Sequence, residues 1–175
     1  MKRLVVSLSV ALTIVGAGTF VGHGRTAAAA HEVVAGGGTC QSAKARAIVG
    51  TAKMYLGAPY NAGGTEPSMG FSSMGFVSFV YRSNGIALPV SLKRALRYAH
   101  RVGFSMLCPG DVMYFQNTLH AGLSHAGIYI GQGEFIHAEW YDVGVRITSL
   151  FNDSKDGDYW APHFLTANRP WNHAS

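Results

Sequence analysis

A hydroxyl and two imidazoles are the residues of this chain whose types and spacing can do chemistry. Ser73 opens a run to Asn84 in which Phe76, Val77, Phe79 and Val80 recur at helical spacing, with Gly85 as the stop signal. The Ser73 hydroxyl therefore belongs at the N-terminus of a buried helix, where backbone N–H groups lack helical partners and can serve as oxyanion donors. His125 and His137 flank the turn Gly131-Gln132-Gly133. Counting back from that turn puts them on neighbouring strands, facing one side of a hairpin. A helix-end nucleophile, a base on a sheet and a second polar group that orients the base form a catalytic triad by role. The same spacing also fits a satisfied core histidine pair and a serine helix cap.

The surrounding elements must position these groups. The spacing of Ala45, Ile48, Val49, Ala52, Tyr55 and Leu56 predicts a helix over residues 41–56, stopped by Gly57 and Pro59. Residues 57–71 read as a loop. A third helix is expected over Leu92 to Val102, with Ser91 as its N-cap. From Pro109 the period changes to that of short strands: Asp111–Gln116, Ser124–Ile130, Glu134–Ala138 and Val143–Ser149, with a last extended segment through His163–Asn168. Helices first and an antiparallel sheet second is an α+β pattern. The length of 175 residues and a 48% hydrophobic content fit one domain. High apolar content excludes disorder, and the lack of heptad patterning excludes a coiled coil.

Residues 1–30 read as a secretory signal peptide: basic Lys2 and Arg3, an apolar run from Leu4 to Val21, and small residues at Ala28-Ala29-Ala30. The alternative is a retained membrane anchor. Cleavage would leave no stable membrane insertion and place the protein in the periplasm, the cell wall or the medium. Losing Lys2, Arg3 and Arg25, and no acid, takes the formal charge from +5 to +2. What remains does not support nucleic-acid binding, because the densest basic stretch is Lys93-Arg94 with Arg97 and no aromatics are interleaved. Residues 31–42 form a Gly-rich lead-in, 43–169 the domain and 170–175 a tail. An exported chain meets an oxidising compartment, so Cys40 and Cys108 are a candidate disulfide. The alternative is two unpaired thiols. No metal is expected: His120 and His125 have no close carboxylate, and the stretch from Asn152 to Asp158 lacks the register of a calcium loop.

Three segments taken together resemble the NlpC/P60 family of cell-wall peptidases. The first is Leu56-Gly57-Ala58-Pro59-Tyr60, followed by Gly63-Gly64-Thr65 and Gly70-Phe71-Ser72-Ser73-Met74-Gly75-Phe76-Val77. The second is Leu107-Cys108-Pro109-Gly110-Asp111. The third is Ser124-His125-Ala126-Gly127-Ile128-Tyr129-Ile130-Gly131 with Phe135-Ile136-His137-Ala138. The resemblance implies a papain-like fold with N-terminal helices packed on a central antiparallel sheet, acting on peptidoglycan stem peptides without a cofactor. It assigns the base position to His125, the orienting position to His137 and a place lining the site to Tyr60. The nucleophile position falls on Ser73, with Ser72 and Gly75 beside it on the substrate side.

Here the chain departs from the family. The family's helix begins Asp-Cys-Ser-Gly, and this one reads Ser72-Ser73-Met74-Gly75. A cysteine in such a setting has a pKa of about 3.5–7.5, whereas a hydroxyl is closer to water, far above that range. A helix N-terminus contributes up to about 2 kcal/mol, or about 1.5 pK units, which cannot generate an alkoxide. Neither register of Ser72 or Ser73 fits the Gly-x-Ser-x-Gly elbow of serine hydrolases. The expected function is an exported protein of this fold that has lost peptidase chemistry and retains a groove for stem peptides. One alternative is a working hydrolase using Ser73 with His125 as base. Another is a non-catalytic interaction module with a protein partner, contacted through Trp140, Tyr141 and Trp160.

Overall fold

The computed structural model describes residues 40–140, 143–151 and 158–172. The expected signal peptide, nearly all of the Gly-rich lead-in, Tyr141 and most of the acidic turn lie outside the described residues. Helix α1 (Ala43–Lys53) buries Ala45, Ile48 and Ala52, and the Ser42 hydroxyl caps it by accepting from the Ala45 N–H at 2.9 Å. It ends short of Leu56, because Gly57 turns away at φ +83° and donates its N–H to Val145 O. The stretch read as loop contains a small antiparallel pair, β1 (Thr65–Glu66) and β2 (Gly70–Phe71). Two-residue strands are too short to leave a periodic signature.

Helix α2 (Ser73–Ser83) is buried on all sides from Ser73 to Tyr81, which makes it the central helix of the domain. The third expected helix is cut short: α3 spans only Leu92–Ala95, and Ser91 makes no side-chain cap. Instead, Arg101–Val102 becomes β3 and pairs with Asn168 and Ala167 of β8 (Phe164–Asn168). Sheet pairing thus overrides a helical pattern that lacks an N-terminal cap.

The other strands are β4 (Val112–Gln116), β5 (Leu123–Gly131), β6 (Glu134–Glu139) and β7 (Gly144–Ser149). With β3 and β8 they form one antiparallel sheet in the order β3-β8-β4-β5-β6-β7. One face, with Val112, Tyr114, Ala126, Ile128, Ile136 and Ala138, joins the core built with α1 and α2. The other face carries Met113, Phe115 and Phe135, covered by Leu150 and by Trp160 of α4 (Trp160–His163). Period-two alternation puts His125 and His137 on this second face.

A buried ion pair closes the sheet. Arg169 donates to both oxygens of Asp111, at 2.8 and 2.9 Å, and Cys108 N–H donates to Asp111 at 2.8 Å. Burial raises the Asp111 carboxyl, opposed by the hydrogen bond from Arg169. A disulfide joins Cys40 to Cys108, tying the start of the described chain to the turn before β4. Residues 170–172, expected as tail, form a 3-10 turn with Pro170 and Trp171 buried.

Candidate active site

The loop before α2 is pressed against the helix start. Ser72, not Ser73, is the N-cap: its hydroxyl accepts from Gly75 N–H at 3.1 Å and donates to Gly64 O at 3.1 Å. A Cβ on Gly75 would meet Gly64 O at 2.0 Å, so the close approach requires glycine there. Tyr60 bridges to Phe71 in parallel register and remains half-buried beside this junction. Ser73 is the first residue of α2 and is buried, and its hydroxyl makes no hydrogen bond to any described residue.

The two histidines are brought together. His125 Nε2 lies 2.8 Å from His137 Nδ1, in a hydrogen bond between β5 and β6. Gly127 makes room for it, since a Cβ there would sit 3.1 Å from His137 Cβ and 2.7 Å from the Phe135 ring. His137 Nε2 is in turn hydrogen-bonded to the Thr148 hydroxyl of β7 at 2.8 Å. Sequence reading missed Thr148. It is one of several threonines, and its facing depends on the β6–β7 register, which pairs it with Phe135.

His125 packs into aromatic surroundings. Its ring centroid lies 5.1 Å from Trp160, 5.4 Å from Trp140 and 6.1 Å from Phe115. Trp160 is only 1% exposed, so it lines the histidines and offers no surface to a partner. Trp140 is half-buried, and Tyr141 lies outside the described residues. Desolvation lowers His125 from 6.5 to about 3. The same cause holds His137 well below its ordinary value, helped by the charge of Arg146. Both imidazoles are therefore neutral at pH 7.

This has a consequence for stability. In the unfolded chain these histidines take up protons near 6.5, while in the fold His125 resists until about 3. The unfolded state thus binds more protons below 6.5, and stability is complete above that pH and falls as pH is lowered. By pH 5 His125 alone is expected to cost about 2 kcal/mol. Urea unfolding at pH 7, 6 and 5 reads this loss directly, and a flat profile would contradict it.

Among the described residues no group of three or more His, Cys, Asp or Glu can hold a metal. Exposed His120 bonds only its own loop, at Ala121 O. No described helix is long and apolar enough to cross a membrane.

Antiparallel strands carrying two hydrogen-bonded histidines, behind a central helix that opens on a serine pair, form a specific arrangement. The NlpC/P60 family model matches residues 57–169. This chain belongs to the NlpC/P60 family. The gamma-DL-glutamyl hydrolase of Bacillus subtilis is 41% identical over 114 residues, covering 65% of this chain and 26% of that protein. The chain thus spans about a quarter of the length of that NlpC/P60 relative. The crystal structure of an NlpC/P60 family protein from Bacillus cereus is 29% identical with a TM-score of 0.65, over 73% of this chain and 40% of that one. RipD of Mycobacterium tuberculosis, a non-catalytic NlpC/p60 domain protein with an adaptation to peptidoglycan-binding function, is 16% identical with a TM-score of 0.56. That match covers 73% of this chain and 98% of RipD. At that identity the likeness to RipD is one of fold.

Proposed function

We propose that this chain is an exported NlpC/P60 domain that binds cell-wall stem peptides and has lost hydrolytic chemistry. The observation that carries the reading is the state of the three chemical groups. The Ser73 hydroxyl has no hydrogen bond to His125, and burial holds His125 at about 3. A general base works best with a pKa near the operating pH, and this one faces a hydroxyl whose pKa lies far above it. The sequence signals for export support the same reading, and RipD shows that this fold occurs in a non-catalytic protein. Ser73 stands at the nucleophile position of the family motif, with Ser72 and Gly75 shaping the helix start and Tyr60 beside it.

Purified sacculi incubated with residues 31–175 test it. The protein is expected to be retained on sacculi, to release no peptide fragments by mass spectrometry, and to behave the same after Ser73→Ala. Failure to be retained would sink the binding reading. The second reading, hydrolysis through Ser73, is favoured by the hydrogen-bonded His125–His137 pair. It requires fragment release by the wild type that disappears in Ser73→Ala.

A further inference from the structure

Thr148 sits at the closed end of a hydrogen-bonded relay through the two histidines. The relay is Thr148 Oγ1 to His137 Nε2, then His137 Nδ1 to His125 Nε2, each at 2.8 Å. Both imidazoles are neutral, so each carries one N–H, and the threonine hydroxyl carries one O–H. Three donors serve two hydrogen bonds, and one proton must be left over at one end or the other.

At the Thr148 end the spare proton has nowhere to go. Thr148 is 1% exposed, and its hydroxyl has His137 Nε2 as its sole hydrogen-bonding partner among the described residues. An enclosed donor without an acceptor costs about 1–3 kcal/mol. At the other end, His125 Nδ1 also has no partner among the described residues. It differs in not being among the fully enclosed, unpartnered side-chain atoms of the described residues. The lower-cost arrangement runs one way: Thr148 O–H donates to His137 Nε2, His137 Nδ1–H donates to His125 Nε2, and the spare proton rests on His125 Nδ1.

We propose that Thr148 is a positioning residue that polarises this relay, so that His125 presents an N–H donor, not a basic lone pair, to whatever occupies the site. The occupant then offers an oxygen acceptor, a carboxylate or a peptide carbonyl. This deepens the stem-peptide reading and rests on it for the identity of the ligand. An acceptor-only group in place of the hydroxyl would polarise the relay the other way and leave Nδ1 as a base.

Long-range proton–nitrogen correlation spectra of histidine-labelled protein at pH 7 read the tautomers. In the wild type and in Thr148→Ser the pyrrole-type nitrogen of His125 is expected to be Nδ1. In Thr148→Val that preference is expected to be lost, with sacculus retention falling several-fold. A wild-type His125 protonated at Nε2, or a Thr148→Val spectrum identical to wild type, overturns the proposal. The wild-type spectrum needs no variant to fold. If the protein is not retained on sacculi while the Nδ1–H signature is present, the binding reading fails and the relay polarity stands.

Discussion

Gly75→Ala is expected to lower Tm by about 10 °C. The added methyl would sit 2.0 Å from Gly64 O and 2.7 Å from the Ser72 hydroxyl. Neither neighbour is the free end of a long side chain. Gly64 O is fixed by accepting from both the backbone N–H and the hydroxyl of Ser72, at 2.9 and 3.1 Å. Gly64 is itself packed on Gly70, where a Cβ would come within 2.1 Å of a carbonyl oxygen. Overpacking of this kind costs up to about 3 kcal/mol, and loss of the Ser72 cap about 1 more. Alanine regains about 1 kcal/mol over glycine inside a helix, leaving a net loss of about 3 kcal/mol. Thermal melts followed by circular dichroism measure it, with Ser72→Ala as the smaller companion loss of about 1 kcal/mol. An unchanged Tm would mean that the loop over the start of α2 yields freely.

Removing the disulfide is the second large effect. Cys40 and Cys108 are separated by 68 positions, and closing a loop of that size restricts the unfolded chain by about 4 kcal/mol in the loop-entropy model. Measured values for native disulfides centre on about 2–4 kcal/mol, so a loss of about 3 is expected from Cys40→Ser with Cys108→Ser. The anchor point is well held on one side. Cys108 is buried and donates its N–H to Asp111, which Arg169 clamps from the end of β8. The Cys40 side is exposed and lies ahead of α1. The double variant should therefore fold, keep the hydrogen bond between His125 and His137, and unfold at lower urea with a steeper slope, because the uncross-linked unfolded chain exposes more surface. Equal midpoints for the two proteins would show that the cross-link constrains nothing in the unfolded chain.

The candidate site was legible in unequal parts. His125 and His137 were found by counting from a glycine turn, because period-two alternation is local and the turn fixes its phase. Ser73 was found because a helix start needs only nearby residues. The division of labour between the serines was not legible: Ser72 takes the cap and leaves Ser73 as the first helical residue, a choice made by the fit of Gly64 against Gly75. Trp160 was read as a possible surface contact and is buried against both histidines. No local pattern surrounds it, since its four-residue helix is shorter than any period can register.

Sequence by itself determined the α+β order, the central helix, five of the strands to within a residue or two, the histidine hairpin and the family. These follow from short-range periodicity, turn residues and motif spacing. Tertiary structure alone decided that Arg101–Val102 would be a strand, that Asp111 and Arg169 would pair across 58 positions, and that Thr148 would end the histidine relay. It also decided that His125 is enclosed by aromatics and neutral. Each of these depends on what a residue meets from a distant part of the chain, through strand register or burial. Burial then sets the chemistry, because withdrawing water from an imidazole changes its protonation without any change in sequence around it.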